Sequence, residues 1–152
     1  MGIRRWHYHS DMTRTVVTGS PPKDRRYKDI YSIVLDAQSA AFEILRPGVS
    51  CREVDAAARN VIDRAGYGAN FGHGLGHGVG LEIHEEPRLN PRSTQQLEPG
   101  MVVSVEPGIY IPGFGGVRIE DLVVVTKNGF QNLNSSSKRF RCIDWQGSGK
   151  CV

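Results

Sequence analysis

The sequence predicts an α+β domain in which an antiparallel sheet is covered on one face by two long helices. Three observations support this class. Two consecutive segments carry apolar residues at helical spacing, a run of strand-like segments separated by Gly and Pro turns follows them, and 152 residues suffice for one buried core. The hydrophobic fraction of 39% and the charged fraction of 23% are ordinary for a globular protein.

The first predicted elements are a short strand and a long helix. Residues 13–18 (TRTVVT) are β-branched and precede the turn-forming residues GSPP, which indicates a strand. From residue 24 to residue 45, apolar side chains recur every three or four positions. This spacing predicts an amphipathic helix that ends before Pro47 and Gly48.

A second helix is predicted directly after the first. Ser50 and Glu53 have the spacing of a capping box, and Gly66 is the residue expected just past the helix end. Because the connection between the helices is short, we expect them to pack antiparallel.

Strands dominate the remainder of the chain. The segment 70–85 is glycine-rich, and a turn and a strand (MVVSVE, residues 101–106) follow it. A wide connection over 107–116, a long strand over 117–126 (VRIEDLVVVT) and a turn over 127–129 complete the pattern.

We assign residues 1–133 to one domain and residues 134–152 to an irregular tail, because no hydrophobic period is visible after residue 134. Phe140 and Trp145 are the residues of this tail that we expect to dock onto the domain.

Composition excludes several classes of partner. The net charge is only +3 and the basic residues are spread along the chain, so nucleic-acid binding is not expected. The apolar runs are too short for a membrane span, and the start MGIRRWHY lacks the apolar core of a secretory signal. Three distant cysteines, without a C-x-x-C pair, favour reduced thiols in the cytoplasm over a structural zinc site.

Two carboxylates occur inside apolar strands. Glu106 ends one strand and Glu120 lies within the next, where a charged group is costly unless it is paired or binds a cation. Arg118 is two residues from Glu120 and is expected on the same face, with Asp121 on the other. Taken alone, the glutamates fit a structural ion pair as well as a functional role.

The segment GHGLGHGVGLEIHE (72–85) holds His73, His77 and His84. Glycine at every second position makes a helix improbable and indicates an extended segment. Its glycine face would be bare and its other face would carry imidazoles, so we expect a ligand to lie alongside it. The alternative is a surface loop whose histidines have no common role.

Asp11, in HSDMTRT, adds a further carboxylate. Asp11, His77, Glu106 and Glu120 form an oxygen-rich ligand set with one imidazole, which suits Mn(II), Fe(II) or Co(II). Carboxylates on neighbouring strands can also bridge two metals about 3.5–4 Å apart, a geometry used in metal-assisted hydrolysis.

The motifs YHSDMTRT, GHGLGHGVGLEIHE, LEPGMVVSVEPGIY and GGVRIEDLVVVT occur in the order and approximate spacing of the pita-bread metallopeptidases. Over residues 8–129 the chain resembles their bacterial Xaa-Pro dipeptidases and aminopeptidases P. The resemblance implies a partial pita-bread fold, with a curved antiparallel sheet covered by two long helices. It also implies a metal-bound hydroxide that hydrolyses the Xaa-Pro amide bond of dipeptides or peptide N-termini.

The resemblance implies metal-binding roles for four residues. Asp11 and Glu120 resemble the bridging carboxylates, His77 the metal-binding histidine, and Glu106 a terminal ligand. Mn(II) is the first candidate for the implied metal, and Co(II), Fe(II) and Zn(II) are the alternatives.

It implies catalytic roles as well. His73 and His84 resemble the two histidines that hold substrate and polarise the carbonyl, and Arg118 resembles the arginine that orients the cluster. Glu106 would accept the proton of the attacking water.

One departure from the family pattern concerns the metals. The family's D-x-G motif would place its glycine at Gly2, so its aspartate ligand would fall before Met1. The resemblance therefore implies an N-terminally truncated catalytic domain with one strong metal site and a second, weakened site. His7 or His9, which alternate with Asp11, is a candidate replacement ligand; the alternative is that both are exposed on an edge strand.

Three hypotheses about the function of the chain remain open. The chain is an active proline-specific peptidase, a degenerate relative with little turnover and a binding role, or a protein that works as a homodimer in which a partner covers an open sheet edge. A methionine-aminopeptidase-like or creatinase-like member is the enzymatic alternative. The expected partner is a proline-containing peptide, and neither nucleic acid nor a membrane is expected.

Overall fold

The structure, a computed structural model, describes residues 1–19 and 24–143. It has the predicted α+β class. Within these two ranges, no helix has the length and apolar character needed to cross a membrane. The strands of the described ranges are β1 (Arg4–Arg5), β2 (Tyr8–His9), β3 (Val17–Thr18), β4 (Gly76–Gly78), β5 (Glu85–Leu89), β6 (Val102–Val105), β7 (Gly108–Ile111), β8 (Gly115–Arg118), β9 (Asp121–Val125), β10 (Phe130–Asn132) and β11 (Cys142–Ile143).

Helix α1 (Arg26–Ile44) lies within the segment that the sequence predicts. It ends at Leu45, whose backbone is extended, and Gly48 follows with a φ of 83°. The buried side chains lie three or four residues apart, so that one stripe of the helix faces the core. They are Ile30, Tyr31, Val34, Ala37, Gln38 and Ala41.

Helix α2 (Cys51–Arg64) begins with the predicted capping box. The backbone N–H of Glu53 donates to Ser50 Oγ at 3.2 Å, and the backbone N–H of Ser50 donates to the Glu53 carboxylate at 3.0 Å. These bonds satisfy amides that the helix itself leaves free, a contribution of about 1 kcal/mol. Gly66 follows the last turn with a φ of 85°, as the sequence predicts.

The main sheet has five strands in the order β10–β9–β6–β4–β5, and every neighbouring pair is antiparallel. The two helices pack against each other; α2 also contacts β5, and α1 contacts β7 and β8. The core lies between these layers. Its fully buried strand residues include Leu89, Val103, Val105 and Val123, and each such side chain stabilises the fold by about 1.5–3 kcal/mol.

Two predicted elements of the second half are wrong. The wide connection expected over 107–116 contains most of an antiparallel hairpin formed by β7 and β8. The long strand expected over 117–126 is interrupted between β8 and β9. There the backbone N–H of Glu120 donates to the carbonyl of Thr13 at 3.0 Å, and these two residues form an isolated bridge. The chain before β3 therefore occupies the interruption, which shortens the strand predicted over 13–18.

The glycine-rich segment is regular only at β4. The predicted alternation holds for Leu75, His77 and Val79, which are buried, but Leu81 is 57% exposed because the chain bends after β4.

The predicted role of the glycines also needs correction. A Cβ atom on Gly76 would overlap the backbone carbonyl of Ser104, and one on Gly78 would overlap that of Glu86. At these two positions it is the protein's own neighbouring backbone that approaches closely, rather than a ligand.

The tail is more ordered than predicted over the part that the structure describes. β11 pairs in parallel with β3. Phe140 packs edge-on against Tyr31 with ring centroids 5.3 Å apart, which confirms its predicted docking. Trp145 and Cys151 lie outside the described residues.

We expect Gly76→Ala to lower the free energy of unfolding by about 2–3 kcal/mol, because the new methyl group would force β4 away from Ser104. Urea denaturation measures this loss. Gly129→Ala is the matched control: nothing lies within 4 Å of its Cβ position, and its backbone is outside the left-handed region. The control should change stability by about 0.5 kcal/mol or less. Equal losses in both variants would contradict the close approach at Gly76.

Candidate metal centre

Three candidate metal ligands meet at the interruption between β8 and β9. One ligand atom from each of Asp11, His77 and Glu120 lies within 4.8 Å of the other two. His77 is the middle residue of β4, Glu120 occupies the interruption, and Asp11 lies two residues before Thr13, which bridges to Glu120. The fold thus brings together three of the four predicted ligands from distant parts of the chain.

Glu120 is a buried carboxylate with one unsatisfied oxygen. The residue is 1% exposed, and Thr13 Oγ1 donates to its Oε2 at 2.5 Å. Within the described residues, no group donates to Oε1. Burial raises the pKa of Glu120 to about 7; the Thr13 hydroxyl opposes this shift, while the charges of Glu106 and Asp11 add to it. Such a carboxylate is stabilised by a cation.

The imidazole of His77 is oriented by its own strand. Nδ1 lies 3.0 Å from the carbonyl oxygen of Gly78, which can only accept, so Nδ1 carries a proton. Nε2 lies 3.1 Å from Glu106 Oε1. Burial alone would lower the pKa of His77, but the hydrogen bonds to Glu106 and Gly78 outweigh burial and raise it. Nε2 is therefore the nitrogen available to a metal.

Glu106, the fourth predicted ligand, lies beside the cluster of three. Ser104 Oγ donates to its Oε1 at 3.0 Å, and the backbone N–H of Glu106 donates to the Leu75 carbonyl at 2.8 Å. Burial would raise the pKa of Glu106, but the hydrogen bonds from His77 and Ser104 and the charge of Arg118 lower it. Glu106 is therefore ionised at neutral pH.

Arg118 and Glu120 lie on the same side of the chain, as their spacing predicts. Arg118 Nε and Nη2 each donate to Thr13 Oγ1 at 3.2 Å, and this hydroxyl donates in turn to Glu120. Arg118 Nε also lies 3.9 Å from Glu106 Oε2. Arg118 is thus linked to both glutamates.

Asp121 points to the opposite side, again as predicted. It is fully buried, pairs with Arg14 at 2.7 Å and with Lys138, and accepts a hydrogen bond from Asn132 at 2.7 Å. Burial would raise the pKa of Asp121, but these three partners lower it. Its charge is therefore compensated without a metal.

A cavity of about 320 Å³ opens beside the cluster. This volume is at the lower end of the range for small-molecule sites. Its wall contains five of the predicted site residues, namely His73, His77, His84, Glu106 and Arg118.

The two histidines that are not in the ligand cluster line this cavity. The rings of His84 and His77 stand edge to face with centroids 4.3 Å apart. His73 Nδ1 lies 2.7 Å from the Gly74 carbonyl, and its Nε2 lies 3.0 Å from the Tyr110 hydroxyl. Both imidazoles thus border the cavity, outside the ligand cluster found among the described residues.

The suggested replacement ligands, His7 and His9, contact other groups in the structure. His7 Nδ1 accepts from the Arg4 guanidinium at 3.1 Å, and His9 Nδ1 lies 3.4 Å from the Gly80 carbonyl. Neither residue joins the ligand cluster in the described part of the chain. Both belong to the small β1–β2 ribbon instead.

Three polar residues of the site are missed by the sequence prediction: Thr13, Ser104 and Tyr110. Ser104 could have been predicted, because it lies two residues before Glu106 on the same strand and its side chain therefore points to the same face. Thr13 has the same spacing from Asp11. Nothing in the sequence pattern indicates that Tyr110 contacts His73, because the hairpin that carries it is not predicted.

A family profile, a curated relative and solved structures all relate this chain to metallopeptidases. The family profile described as metallopeptidase family M24 matches residues 1–127. The chain is 51% identical over 138 residues to the Xaa-Pro dipeptidase of Pyrococcus horikoshii, covering 91% of this chain and 39% of that protein. The solved prolidase of Pyrococcus horikoshii superposes with a TM-score of 0.86 and 51% identity, over 90% of this chain and 39% of that one.

The X-Pro aminopeptidase structure from Thermotoga maritima superposes with a TM-score of 0.87 and 40% identity, over 94% of this chain and 40% of that one. These similarities confirm the predicted pita-bread fold. The chain spans about two fifths of the length of the relatives that it matches.

We expect the metal-free protein to lose stability as the pH rises from 5 to 8. The pKa of Glu120 is about 7 in the fold against an ordinary 4.5, so the unfolded chain releases this proton first and is favoured by rising pH. The raised pKa of His77 acts in the same direction, because the fold retains that proton to higher pH. The Glu120 shift corresponds to about 3 kcal/mol. Urea titrations with a chelator across this range measure the loss.

The variant Glu120→Gln isolates the contribution of this carboxyl group. It removes the titrating group and keeps an acceptor for Thr13, so its stability should fall less with pH. Glu98→Gln, at an exposed position, should behave as the parent does. An identical pH dependence for Glu120→Gln and the parent would contradict the assignment to Glu120.

Proposed function

Because this chain belongs to metallopeptidase family M24, we propose that it carries the metal site of a peptidase that hydrolyses Xaa-Pro amide bonds. The substrates would be Xaa-Pro dipeptides or peptides with proline in second position. The observation that carries the proposal is the cluster of Asp11, His77 and Glu120, in which one buried oxygen of Glu120 has no hydrogen-bond donor among the described residues. The proline specificity is supported by the relatives named Xaa-Pro dipeptidase and X-Pro aminopeptidase.

The donor set fits a divalent cation. Asp11, Glu120 and His77 Nε2 would hold it, with Glu106 as a further ligand that turns from its contact with His77. Carboxylate oxygens with one imidazole suit Mn(II) best among our candidates, with Co(II), Fe(II) and Zn(II) as alternatives. When bound, such a cation supplies Lewis acidity, which makes water more acidic and an amide carbonyl more electrophilic.

Glu106 is the proposed proton acceptor. Its lowered pKa keeps it ionised at neutral pH, and it borders the cavity, so its carboxylate can take a proton from the attacking water. The departing amine needs a proton, and the same carboxyl group can return it there. The Ser104 hydroxyl and the Arg118 guanidinium hold this carboxylate from two sides.

His84 and His73 are the proposed substrate contacts. Both line the cavity; His84 stands against His77, and His73 is held by Gly74 and Tyr110. An imidazole N–H from this wall can donate to the carbonyl oxygen as negative charge develops on it. Arg118 contacts Glu120 through Thr13 and approaches Glu106 directly, and would so orient the cluster.

We also propose a reducing compartment such as the cytoplasm, and a homodimer as the working form. Cys51 and Cys142 are both free thiols, and Cys51 is fully buried. The main sheet ends in the edge strands β5 and β10, and an edge strand of a second copy would satisfy their open backbone groups.

We expect cleavage of Ala-Pro that depends on added Mn(II) or Co(II). His77→Ala and Glu120→Ala should each reduce kcat/KM by about 100-fold or more, because each removes a metal ligand. His7→Ala and Glu98→Ala, which change exposed residues of the same types, are the matched controls and should retain activity. Amine release by the purified chain is the measurement.

Each other outcome has a distinct meaning. Turnover that survives chelation would contradict metal-assisted hydrolysis. Metal binding without turnover would instead support the degenerate relative with a binding role. Equal cleavage of Ala-Gly and Ala-Pro would contradict proline specificity.

Replacing His84 separates substrate contacts from metal ligands. We expect His84→Ala to lower kcat by about 100-fold, the cost of losing one donor to a developing oxyanion, while the dissociation constant for Mn(II) stays near that of the parent. Isothermal titration calorimetry and steady-state kinetics on the same samples give both values. A loss of metal affinity equal to that of His77→Ala would make His84 a ligand and contradict its assignment.

A further inference from the structure

A buried glutamine lies in the middle of the apolar face of α1. Gln38 is 1% exposed and has Val34, Ala37 and Ala41 as buried neighbours on the same helix. An amide in such surroundings is costly unless its donors and its acceptor are satisfied. The bonds that satisfy Gln38 therefore indicate why the fold keeps it.

The amide nitrogen of Gln38 connects two strands at the metal centre. Nε2 donates to the Val105 carbonyl at 2.9 Å and, over a longer 3.4 Å, to the Ile119 carbonyl. These carbonyls belong to the residues directly before Glu106 and Glu120. One side chain thus holds two backbone points, each one residue away from a carboxylate of the site.

These two points lie where regular strand pairing ends. β6 ends at Val105, and Glu120 lies in the interruption between β8 and β9. At Ile119 the backbone N–H donates to Pro107 at 3.4 Å, outside the regular ladder. Gln38 supplies a bond where regular strand pairing stops.

The orientation of the Gln38 amide is set by the chain segment that follows β10. Lys138 Nζ donates to Gln38 Oε1 at 2.7 Å and also pairs with the buried Asp121. Since an ammonium group can only donate, it fixes Oε1 on its side and turns Nε2 towards Val105 and Ile119. The Lys138 carbonyl in turn accepts from the Tyr31 hydroxyl at 3.1 Å, which anchors the segment to α1.

We propose that Gln38 is a positioning residue that sets the separation of the Glu106 and Glu120 carboxylates, and that Lys138 orients its amide. The proposal rests on the proposed function, because it assumes that these carboxylates bind a cation. It assigns the segment after β10 a part in the metal centre that its irregular sequence does not suggest. Residues that orient ligands in this way typically change metal affinity by about 10- to 100-fold when they are replaced.

The test compares Gln38→Met, Lys138→Met and the double variant with the parent. Methionine has the length of glutamine and of a lysine side chain without its ammonium group, and it removes the polar ends of both. Gln131→Met on β10 and Lys127→Met in the turn before β10, both at exposed positions, are the matched controls. The readouts are the visible absorption spectrum of the Co(II)-loaded chain and the dissociation constant for Co(II), with urea denaturation in chelator alongside.

We expect Gln38→Met to weaken Co(II) binding by about 10-fold and to alter the shape of the Co(II) absorption bands. Lys138→Met should act in the same direction. In Co(II) affinity, the double variant should resemble Gln38→Met rather than the product of the two losses, because we propose that Lys138 affects the metal centre through Gln38. The loss of its pair with Asp121 should appear in stability, since Arg14 and Asn132 still contact that carboxylate. The controls should keep the parent spectrum and affinity.

An unchanged spectrum and affinity in both single variants, with only a loss of stability in chelator, would overturn the proposal and leave Gln38 a purely structural residue. If Gln38→Met fails to fold, Lys138→Met decides the outcome, since Lys138 is partly exposed. His77→Ala distinguishes failure of the proposed function. Co(II) binding by the parent that survives this substitution would mean that the metal lies elsewhere and would overturn both proposals.

Discussion

The structure depends most on one constraint, the burial of the Glu120 carboxylate. An ionised group inside a fold is costly, and one of its oxygens lacks a donor among the described residues. The surroundings offer it Thr13 on one side and the ligand atoms of Asp11 and His77 on the other. A divalent cation held by these atoms would offset the cost of burial, so that a costly position of the metal-free fold is also the position that a cation would occupy.

Several irregular features of the fold follow from this constraint. The strand that the sequence makes continuous is interrupted at Glu120, because Thr13 enters to bond both its backbone and its side chain. Arg118, the last residue of β8, donates to the same hydroxyl. At the positions where regular hydrogen bonding between strands stops, the Gln38 side chain of α1 donates to the backbone carbonyls of Val105 and Ile119. The helix layer therefore supports the site as well as the core.

Local patterns were enough to predict the helices, the capping box at Ser50, the strand before Glu106 and the approximate face of Arg118. The ligand candidates were found because carboxylates in apolar strands and a histidine among glycines conflict with a purely structural role. The hairpin of β7 and β8 and the partners of Gln38 could not be predicted in this way. The hairpin is local, but its Gly and Pro residues indicate a loop rather than strands. The partners of Gln38 lie about 70 to 100 residues away in sequence, and no hydrophobic period encodes contacts between such distant segments.

The central claim is that one divalent cation binds between Asp11, His77 and Glu120. The most direct measurement is anomalous diffraction at the manganese edge from crystals of this chain grown with Mn(II). We predict a peak within bonding distance of His77 Nε2 and of carboxylate oxygens of Asp11 and Glu120. A map without a peak there, or with manganese bound only at other residues, would contradict it.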